Sequence, residues 1–233
     1  MWATAILGMA TKYAEALLAV HYRDLAPGET VQGGPMYYIK KGLSKRWHFL
    51  AGTFAFLAMF ASFGAGNSIQ SNAIAEVIRD DFHVNTHITG LVLAVLIGMI
   101  IVGGIKSIGS FTQKLIPPLA LAYFLSGIAV LIMQHQQIPA LFHLIFSHAF
   151  DLHAAGGGIA GFTVATAIRF GVARGVLSNE AGLGTAAMAH AAAKTEHPAE
   201  QGLVAMMGPF LDTIIVCTVT ALVILMMPNW HQS

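Results

Sequence analysis

The sequence predicts an all-α, polytopic integral membrane protein with about six spans, and three observations support that prediction. Of the 233 residues, 56% are hydrophobic and only 10% are charged, against about 25% charged residues in a typical soluble domain. Five segments approach the roughly 20 apolar residues that a bilayer-spanning helix requires, at 2–21, 49–78, 88–104, 115–133 and 202–227. Region 156–193 is long enough for a sixth span, but Arg169, Arg174 and the stretch SNEAGLG interrupt it. That region is therefore predicted to be a broken helix.

Composition also narrows the classes of protein and partner. The start of the chain has no basic segment followed by a short apolar core and a cleavage site, so it does not resemble a signal peptide. Cys217 is the single cysteine, which excludes a disulfide scaffold and a cysteine-based zinc site. The net charge of +1 gives no indication of nucleic-acid binding. The lipid bilayer is the expected surrounding, and no cofactor is expected.

The positive charges alternate between loops and so predict a topology. Lys and Arg collect in loops 22–48 and 105–114 and recur at Lys194 in loop 188–201, whereas loop 134–155 contains neither. Because cytoplasmic loops are enriched in Lys and Arg, the first three of these loops are predicted to be cytoplasmic and loop 134–155 external. Met1 then lies outside the cell, an awkward start for a polytopic chain. We therefore expect residues 1–233 to be a single transmembrane domain, a fragment of a larger transporter.

Two spans contain polar side chains that need a partner in a membrane. Lys12 and Glu15 lie three residues apart on one helical face, and a structural ion pair is the favoured interpretation. In FGAGNSIQSNAIAE, Asn67 and Gln70 form an i, i+3 stripe, followed by Ser71 and Asn72. Gly64 and Gly66 would let a neighbouring backbone approach closely. The two amides would hold a neutral or zwitterionic solute, or they would form hydrogen bonds between packed helices.

Two further features have a plain structural interpretation beside a functional one. Pro117 and Pro118 would permit a bend that gates transport, although proline is common in membrane helices. Loop 134–155 contains apolar residues that fit an interfacial amphipathic helix. Its His143, His148 and His153 do not have the i, i+4 spacing of two ligands on one helical face, and no carboxylate or cysteine completes a metal set.

The stretch SNEAGLGTAAMAHAAAK is the most specific part of the chain. Backbone at membrane depth unwinds only where it is buried in protein or lines a cavity, and such breaks bind substrates and ions. Gly182 and Gly184 favour a hinge, and a helix that begins near Thr185 would offer free N–H groups to the carboxylate of a solute. Ser178, Asn179 and Glu180 would meet an ammonium group or a sodium ion. The alternative is a re-entrant turn that caps two helices with Ser178 or Asn179.

Several long motifs resemble the alanine or glycine:cation symporter family. They are GMATKYAEALLAV, GGPMYYIKKGL, FGAGNSIQSNAIAE, GGIKSIG, GVARGVLSNEAGLGTAAMAHAAAKTEHPAEQGLVAM and FLDTIIVCTVTALVIL, and together they run almost from end to end. The resemblance implies a partial five-plus-five inverted repeat of the leucine-transporter type, with the first core helix and the helices after the seventh absent. It implies a location in the bacterial inner membrane.

Carried over residue by residue, the resemblance implies substrate-binding positions at Asn67, Gln70, Ser178, Asn179, Gly182 and Gly184. Glu180, Asp212 and Thr213 are weaker candidates for binding or coupling sodium, and for Asp212 a structural pairing with Arg169 or Arg174 is slightly favoured.

The predicted function is sodium-coupled import of a small neutral amino acid, alanine or glycine, and not an enzyme activity. Proton coupling is the nearest alternative. An intramembrane hydrolase that uses Ser178 with a histidine such as His190, and a passive channel, remain rivals, although no G-x-S-x-G motif surrounds Ser178 and no selectivity loop is present. Oligomeric state and stereoselectivity do not follow from the sequence.

Overall fold

The computed structural model describes residues 1–25, 31–64, 67–150 and 158–227. These residues are almost entirely helical, as the apolar segments predict, and a single pair of residues, Asp24 and Gln32, forms an isolated antiparallel bridge. The helices are α1 Trp2–His21, α2 Pro35–Gly42, α3 Phe49–Gly64, α4 Asn67–Phe82, α5 Thr86–Val102, α6 Gly104–Met133, α7 Ile138–Phe150, α8 Gly158–Asn179, α9 Thr185–Ala191, α10 Pro198–Pro209 and α11 Cys217–Leu225. Short 3-10 turns cover Lys45–Trp47 and His135–Gln137, and a π-helix, Phe210–Val216, joins α10 to α11.

Four helical stretches of the described residues are long and apolar enough to cross a bilayer: Trp2–His21, Lys45–Phe82, Ser107–Met133 and Pro198–Leu225. Helix α5 is apolar but shorter, with 17 residues. The prediction of an all-α polytopic membrane protein is confirmed. Many large apolar side chains on these helices are exposed, for example Leu91, Val102 and Met133. Exposed apolar surface of this kind is compatible with contact to lipid, because lipid tails are as apolar as the side chains.

The chain divides into two compact units, which are described separately. The first comprises Met1–Tyr38 and Ala120–Ser233, and the second comprises Ile39–Leu119. In the first unit, α1 packs against α8, α9, α10 and the π-helix. The approach to α10 is very close, since a Cβ atom added at Gly202 would lie 2.8 Å from the ring of Tyr13. Helix α1 is therefore the central element of this unit.

Small side chains allow α1 to pack closely against its neighbours. Ala19 of α1, Ala187 and Ala191 of α9 are almost fully buried together, and Tyr38 covers them. A second cluster joins Leu141 of α7 to Leu222 and Met226 at the end of α11. Alanine stripes of this sort let membrane helices approach each other, where close van der Waals contact replaces the hydrophobic effect.

In the second unit, α3, α4 and α5 contact one another in sequence. Helix α5 begins with a side-chain cap, because Asn85 accepts a hydrogen bond from the backbone N–H of His87 at 2.9 Å. The predicted span 49–78 corresponds to α3 and α4, with residues 65–66 between them outside the described residues. Helix α6 extends over 30 residues and includes Pro117 and Pro118 within its helical range.

Candidate functional site

The predicted interruption of the broken helix lies between α8 and α9. Helix α8 ends at Asn179 and α9 begins at Thr185. Three residues between them adopt positive φ angles: Glu180 at 51°, Gly182 at 89° and Gly184 at 78°. Glycine occupies this region without steric cost, whereas a non-glycine residue such as Glu180 is uncommon there. Residues 180–184, here called the break, are therefore an unwound connection held in a defined conformation.

Asn179, the last residue of α8, lies directly before the break and is only 5% exposed. Its Oδ1 accepts a hydrogen bond from the backbone N–H of Ala181 at 3.0 Å, which is a local turn of the type that asparagine favours. Its Nδ2 is buried, and in the described part of the chain it has no partner. A Cβ atom added at Gly8 of α1 would lie 3.0 Å from that Nδ2. The amide therefore lies against α1 with its buried NH2 group unpaired among the described residues.

Glu15 of α1 contacts the other end of the break. Its Oε1 accepts a hydrogen bond from the backbone N–H of Gly184 at 3.1 Å, and the side chain is 8% exposed. The expected Lys12–Glu15 ion pair is wrong: within the described residues no such pair forms, because the carboxylate turns to the backbone of the break. The Gly184 N–H, which the sequence suggested for a solute carboxylate, is thus occupied by the protein's own carboxylate.

Ser178, Asp212 and Thr213 come together on the α8 side of the break. Ser178 donates a hydrogen bond from its Oγ to Asp212 Oδ2, and Thr213 Oγ1 lies 3.3 Å from Ser178 Oγ and 3.4 Å from Asp212 Oδ2. Thr213 is fully buried, and Cys217 Sγ lies 3.4 Å from Ser178 Oγ. Asp212 and Thr213 belong to the π-helix, a distortion often found at functional sites.

This cluster corrects one expectation and argues against one rival. Asp212 accepts a hydrogen bond from Ser178; the favoured structural pairing with Arg169 or Arg174 is wrong, because both arginine side chains are exposed to the surroundings while the serine hydroxyl reaches the carboxylate. His190 Nδ1 lies 2.6 Å from Gln201 Nε2, and Ser178 bonds elsewhere. The serine and histidine of the hydrolase interpretation are therefore not partners.

Charged residues around the break are unbalanced. Lys12, which is buried, lies within electrostatic reach of the carboxylates of Glu180, Glu15 and Asp212. The carboxylate of Glu180 also accepts a hydrogen bond from Thr185 Oγ1 at 2.9 Å. Burial and then the negative charge of Glu15 raise the pKa of Tyr38. The surroundings of the break are thus richer in negative than in positive charge.

Asn67 and Gln70 lie on α4, in the second unit, and their side chains are exposed. Asn67 Nδ2 donates to the backbone oxygen of Ser62 at 2.8 Å, so this amide makes a local contact within the unit. No atom lies within 4 Å of a Cβ added at Gly64. Among the described residues, the close backbone approach expected at that glycine is therefore absent, and Gly66 itself lies outside them.

Two residues that act on α9 were not singled out from the sequence in this role. The sequence predicts an ion pair for Glu15 and indicates for Arg23 only a charge in loop 22–48. The guanidinium of Arg23 donates to the backbone oxygens of Ala191, Ala193 and Thr195, at 3.0, 2.6 and 2.6 Å. Neither contact has a local signal in the sequence, because the partners lie about 170 residues away along the chain.

The three histidines of loop 134–155 provide little evidence of a site. His143 lies on α7, the side chain of His148 is outside the described set, and His153 lies outside the described residues altogether. Among the residues that the structure describes, no group of three His, Cys, Asp or Glu side chains is placed to hold a metal ion.

An all-helical membrane bundle with buried polar side chains at a broken helix is typical of secondary transporters, and this is the class that the fold and the site define. The sequence model of the sodium:alanine symporter family matches residues 1–233. The chain belongs to the sodium:alanine symporter family.

Named relatives agree with that membership. The chain is 50% identical over 226 residues to "Sodium/alanine symporter AgcS" of Methanococcus maripaludis, which covers 96% of this chain and 49% of that protein. It is 41% identical to "Putative sodium/proton-dependent alanine carrier protein YrbD" (97% and 45% covered) and 38% identical to "Probable sodium/glutamine symporter GlnT" (99% and 47%), both of Bacillus subtilis. The chain spans about half the length of these relatives. Their names are those of transporters, which confirms the prediction of a carrier rather than an enzyme.

Proposed function

We propose that the protein is part of a sodium-coupled symporter that imports a small neutral amino acid, with alanine or glycine as the substrate. The observation that carries this proposal is the break, where Asn179 keeps a buried amide donor without a partner. A buried donor left unpaired costs about 1–3 kcal/mol, so a solute that accepts its hydrogen bond would be bound favourably. Family membership supports coupling to sodium.

Two groups of residues take part in the proposed site. Ser178, Asn179, Gly182 and Gly184 form the wall of the substrate site at the break. Asn67 and Gln70 of α4, in the second unit, are proposed separately as substrate-binding residues. Glu180, Asp212 and Thr213 bind or couple sodium, for which the oxygen cluster of Ser178, Asp212 and Thr213 is the support. Oxygen atoms at the ends of half-helices coordinate sodium in transporters with broken helices.

We also propose the membrane topology that the loop charges favour. Loops 22–48, 105–114 and 188–201 lie in the cytoplasm, and loop 134–155 lies outside with α7 in the interface, in the inner membrane of a bacterium. Helix α7 fits this position because one of its faces packs against α11 while Phe146 and Ile145 remain exposed. Cysteine-accessibility labelling at Lys41 and Gln136 tests the two sides.

The test is uptake of labelled L-alanine into proteoliposomes that contain the protein of the complete reading frame. Accumulation should occur with an inward sodium gradient and collapse when sodium is equalised. Uptake driven by a proton gradient alone would overturn sodium coupling and favour the proton-coupled alternative. The name of one relative mentions both sodium and proton dependence. Preference for glutamine over alanine would overturn the choice of substrate.

Substitutions locate the site within that assay. We expect Asn179→Leu and Gln70→Leu each to lower sodium-driven uptake about tenfold or more, an effect of at least about 1.4 kcal/mol, because each removes an amide that faces the solute. Membrane expression should stay normal. Asn72→Leu is the control on α4, since Asn72 bonds to Glu76 at 3.0 Å. Wild-type uptake in both site variants would contradict the assigned site.

A further inference from the structure

We propose that Glu15 is a cation-accepting residue of the transport site, whose free carboxylate oxygen binds a positive group of the cargo. The group is either the ammonium of the amino acid or the sodium ion, which share the same chemistry toward a carboxylate. This inference rests on the proposed function and deepens it, since it assigns a charge to the end of the break at Gly184.

The first argument is the geometry of the carboxylate. The Gly184 N–H holds Oε1 at 3.1 Å, so the orientation of the whole group is fixed. The second oxygen, Oε2, is buried and has no partner among the described residues. Each carboxylate oxygen accepts about two hydrogen bonds when it is ionised. The side chain is 8% exposed, so water does not readily replace the missing partner.

The second argument is the local balance of charge. Lys12 lies within electrostatic reach of Glu180, Glu15 and Asp212. Glu180 is exposed to solvent, whereas Glu15 is buried and Asp212 is partly buried, so one lysine is set against two carboxylates that are shielded from water, an excess of one formal negative charge. Net charge inside a low-dielectric protein is costly unless it is paired. The positive end of the α9 dipole offsets only about half a charge. A cation from the cargo would complete the balance, whereas an anionic group would increase the imbalance.

A purely structural role of Glu15 as a helix cap gives a different expectation from a role in binding a cation. Glu15 would also act as a cap for the start of α9, whose own first residues provide no side-chain cap. A cap needs only an oxygen acceptor, which a glutamine amide supplies equally well. A cation-accepting residue needs the negative charge. The substitution Glu15→Gln therefore retains the cap and removes only the proposed function of the charge.

The decisive experiment measures half-saturation concentrations for L-alanine and for sodium in proteoliposomes with the complete protein. We expect Glu15→Gln to raise one of the two about tenfold or more. A rise for alanine identifies the ammonium, and a rise for sodium identifies the ion. Glu196→Gln, at an exposed position in loop 188–201, is the matched control. Glu15→Gln with both values unchanged would overturn the proposal and leave Glu15 as a cap.

A second measurement on the unmodified protein is independent of how the variant folds. A hydrophobic carbodiimide should label Glu15, and mass spectrometry can read the tryptic peptide from Tyr13 to Arg23, in which Glu15 is the single acidic residue. We expect sodium chloride or L-alanine, compared with choline chloride, to protect it. Equal labelling under all conditions would overturn the proposal. Protection by sodium in a protein that fails to accumulate alanine would retain Glu15 while the proposed substrate fails.

Discussion

The two ends of α9 are contacted in different ways by charged residues of one neighbouring segment, α1 and the residues directly after it. At its start, the Gly184 N–H meets the Glu15 carboxylate, which has a second oxygen to spare. At its end, the guanidinium of Arg23 donates to three backbone oxygens. Both charges match the helix dipole, negative at the start and positive at the end. The end held by Arg23 is a structural clamp, whereas the end held by Glu15 has unused binding capacity.

This difference predicts that changes at the start of α9 alter transport and changes at its end alter stability. The break gives the reason: three positive φ angles lie at the start of the helix, where a small displacement moves the groups that face the solute. The end of α9 is followed by residues 192–197, which connect it to α10 and in which the backbone oxygens would otherwise be satisfied by water.

The largest effect is expected for Gly184→Ala. A left-handed backbone conformation costs a non-glycine residue about 1–2 kcal/mol, and a shifted backbone would also move the N–H that Glu15 accepts. We expect uptake to fall to near background. Initial rates of labelled-alanine uptake, normalised to the amount of protein in the membrane, measure this.

Gly208→Ala is the matched control for that change. Gly208 lies within α10, and no atom is within 4 Å of an added Cβ. Because alanine favours a helix over glycine, this variant should transport normally and be at least as stable. Equal loss of uptake in both glycine variants would contradict a special role for the break.

An intermediate effect is expected for Arg23→Gln. Removal of a hydrogen bond to a charged group costs about 1.5–3 kcal/mol, and a glutamine cannot span three acceptors. We expect a lower thermal unfolding temperature of the purified protein, with half-saturation for alanine and sodium close to wild type. Arg23→Lys should rescue only part of the loss, because an ammonium lacks the planar fork of donors.

The variant Arg23→Gln can also contradict the proposed difference between the two ends of α9. If Arg23→Gln changed the half-saturation for sodium as strongly as Glu15→Gln, the two ends of α9 would not differ in function. Arg46→Gln provides the background value, since Arg46 lies in the 3-10 turn Lys45–Trp47 of the second unit and is exposed.

The smallest effect is expected for Gln201→Met, also near the end of α9. It removes the hydrogen bond between Gln201 Nε2 and His190 Nδ1, worth about 0.5–1.5 kcal/mol. Uptake should remain within about twofold of wild type, and the unfolding temperature should fall slightly. A loss of uptake as large as that of Gly184→Ala would show that the end of α9 also shapes the transport site.

The sequence predicted the position of the broken helix because glycine and polar residues stand out in an apolar chain. Ser178, Asp212 and Thr213 are all candidates from the sequence, but their contacts could not be foreseen, since Ser178 lies 34 and 35 residues from the other two. The π-helix that contains Asp212 and Thr213 has no clear sequence signal. Lys12 and Glu15 show the opposite error: correct helical spacing suggested a pair that tertiary contacts replaced.

The sequence by itself determined that the protein lies in a membrane, that it is helical and where one helix breaks. These properties depend on local composition: runs of apolar residues, charges in the loops, and glycines beside polar residues. Only the tertiary structure decided which hydrogen-bond partner each polar side chain has. Glu15 faces Gly184 and Arg23 faces the end of α9 because α1 runs beside α9, a relation between residues about 170 positions apart. Spacing along one helix shows which side chains share a face, but the partner of that face depends on how the bundle packs.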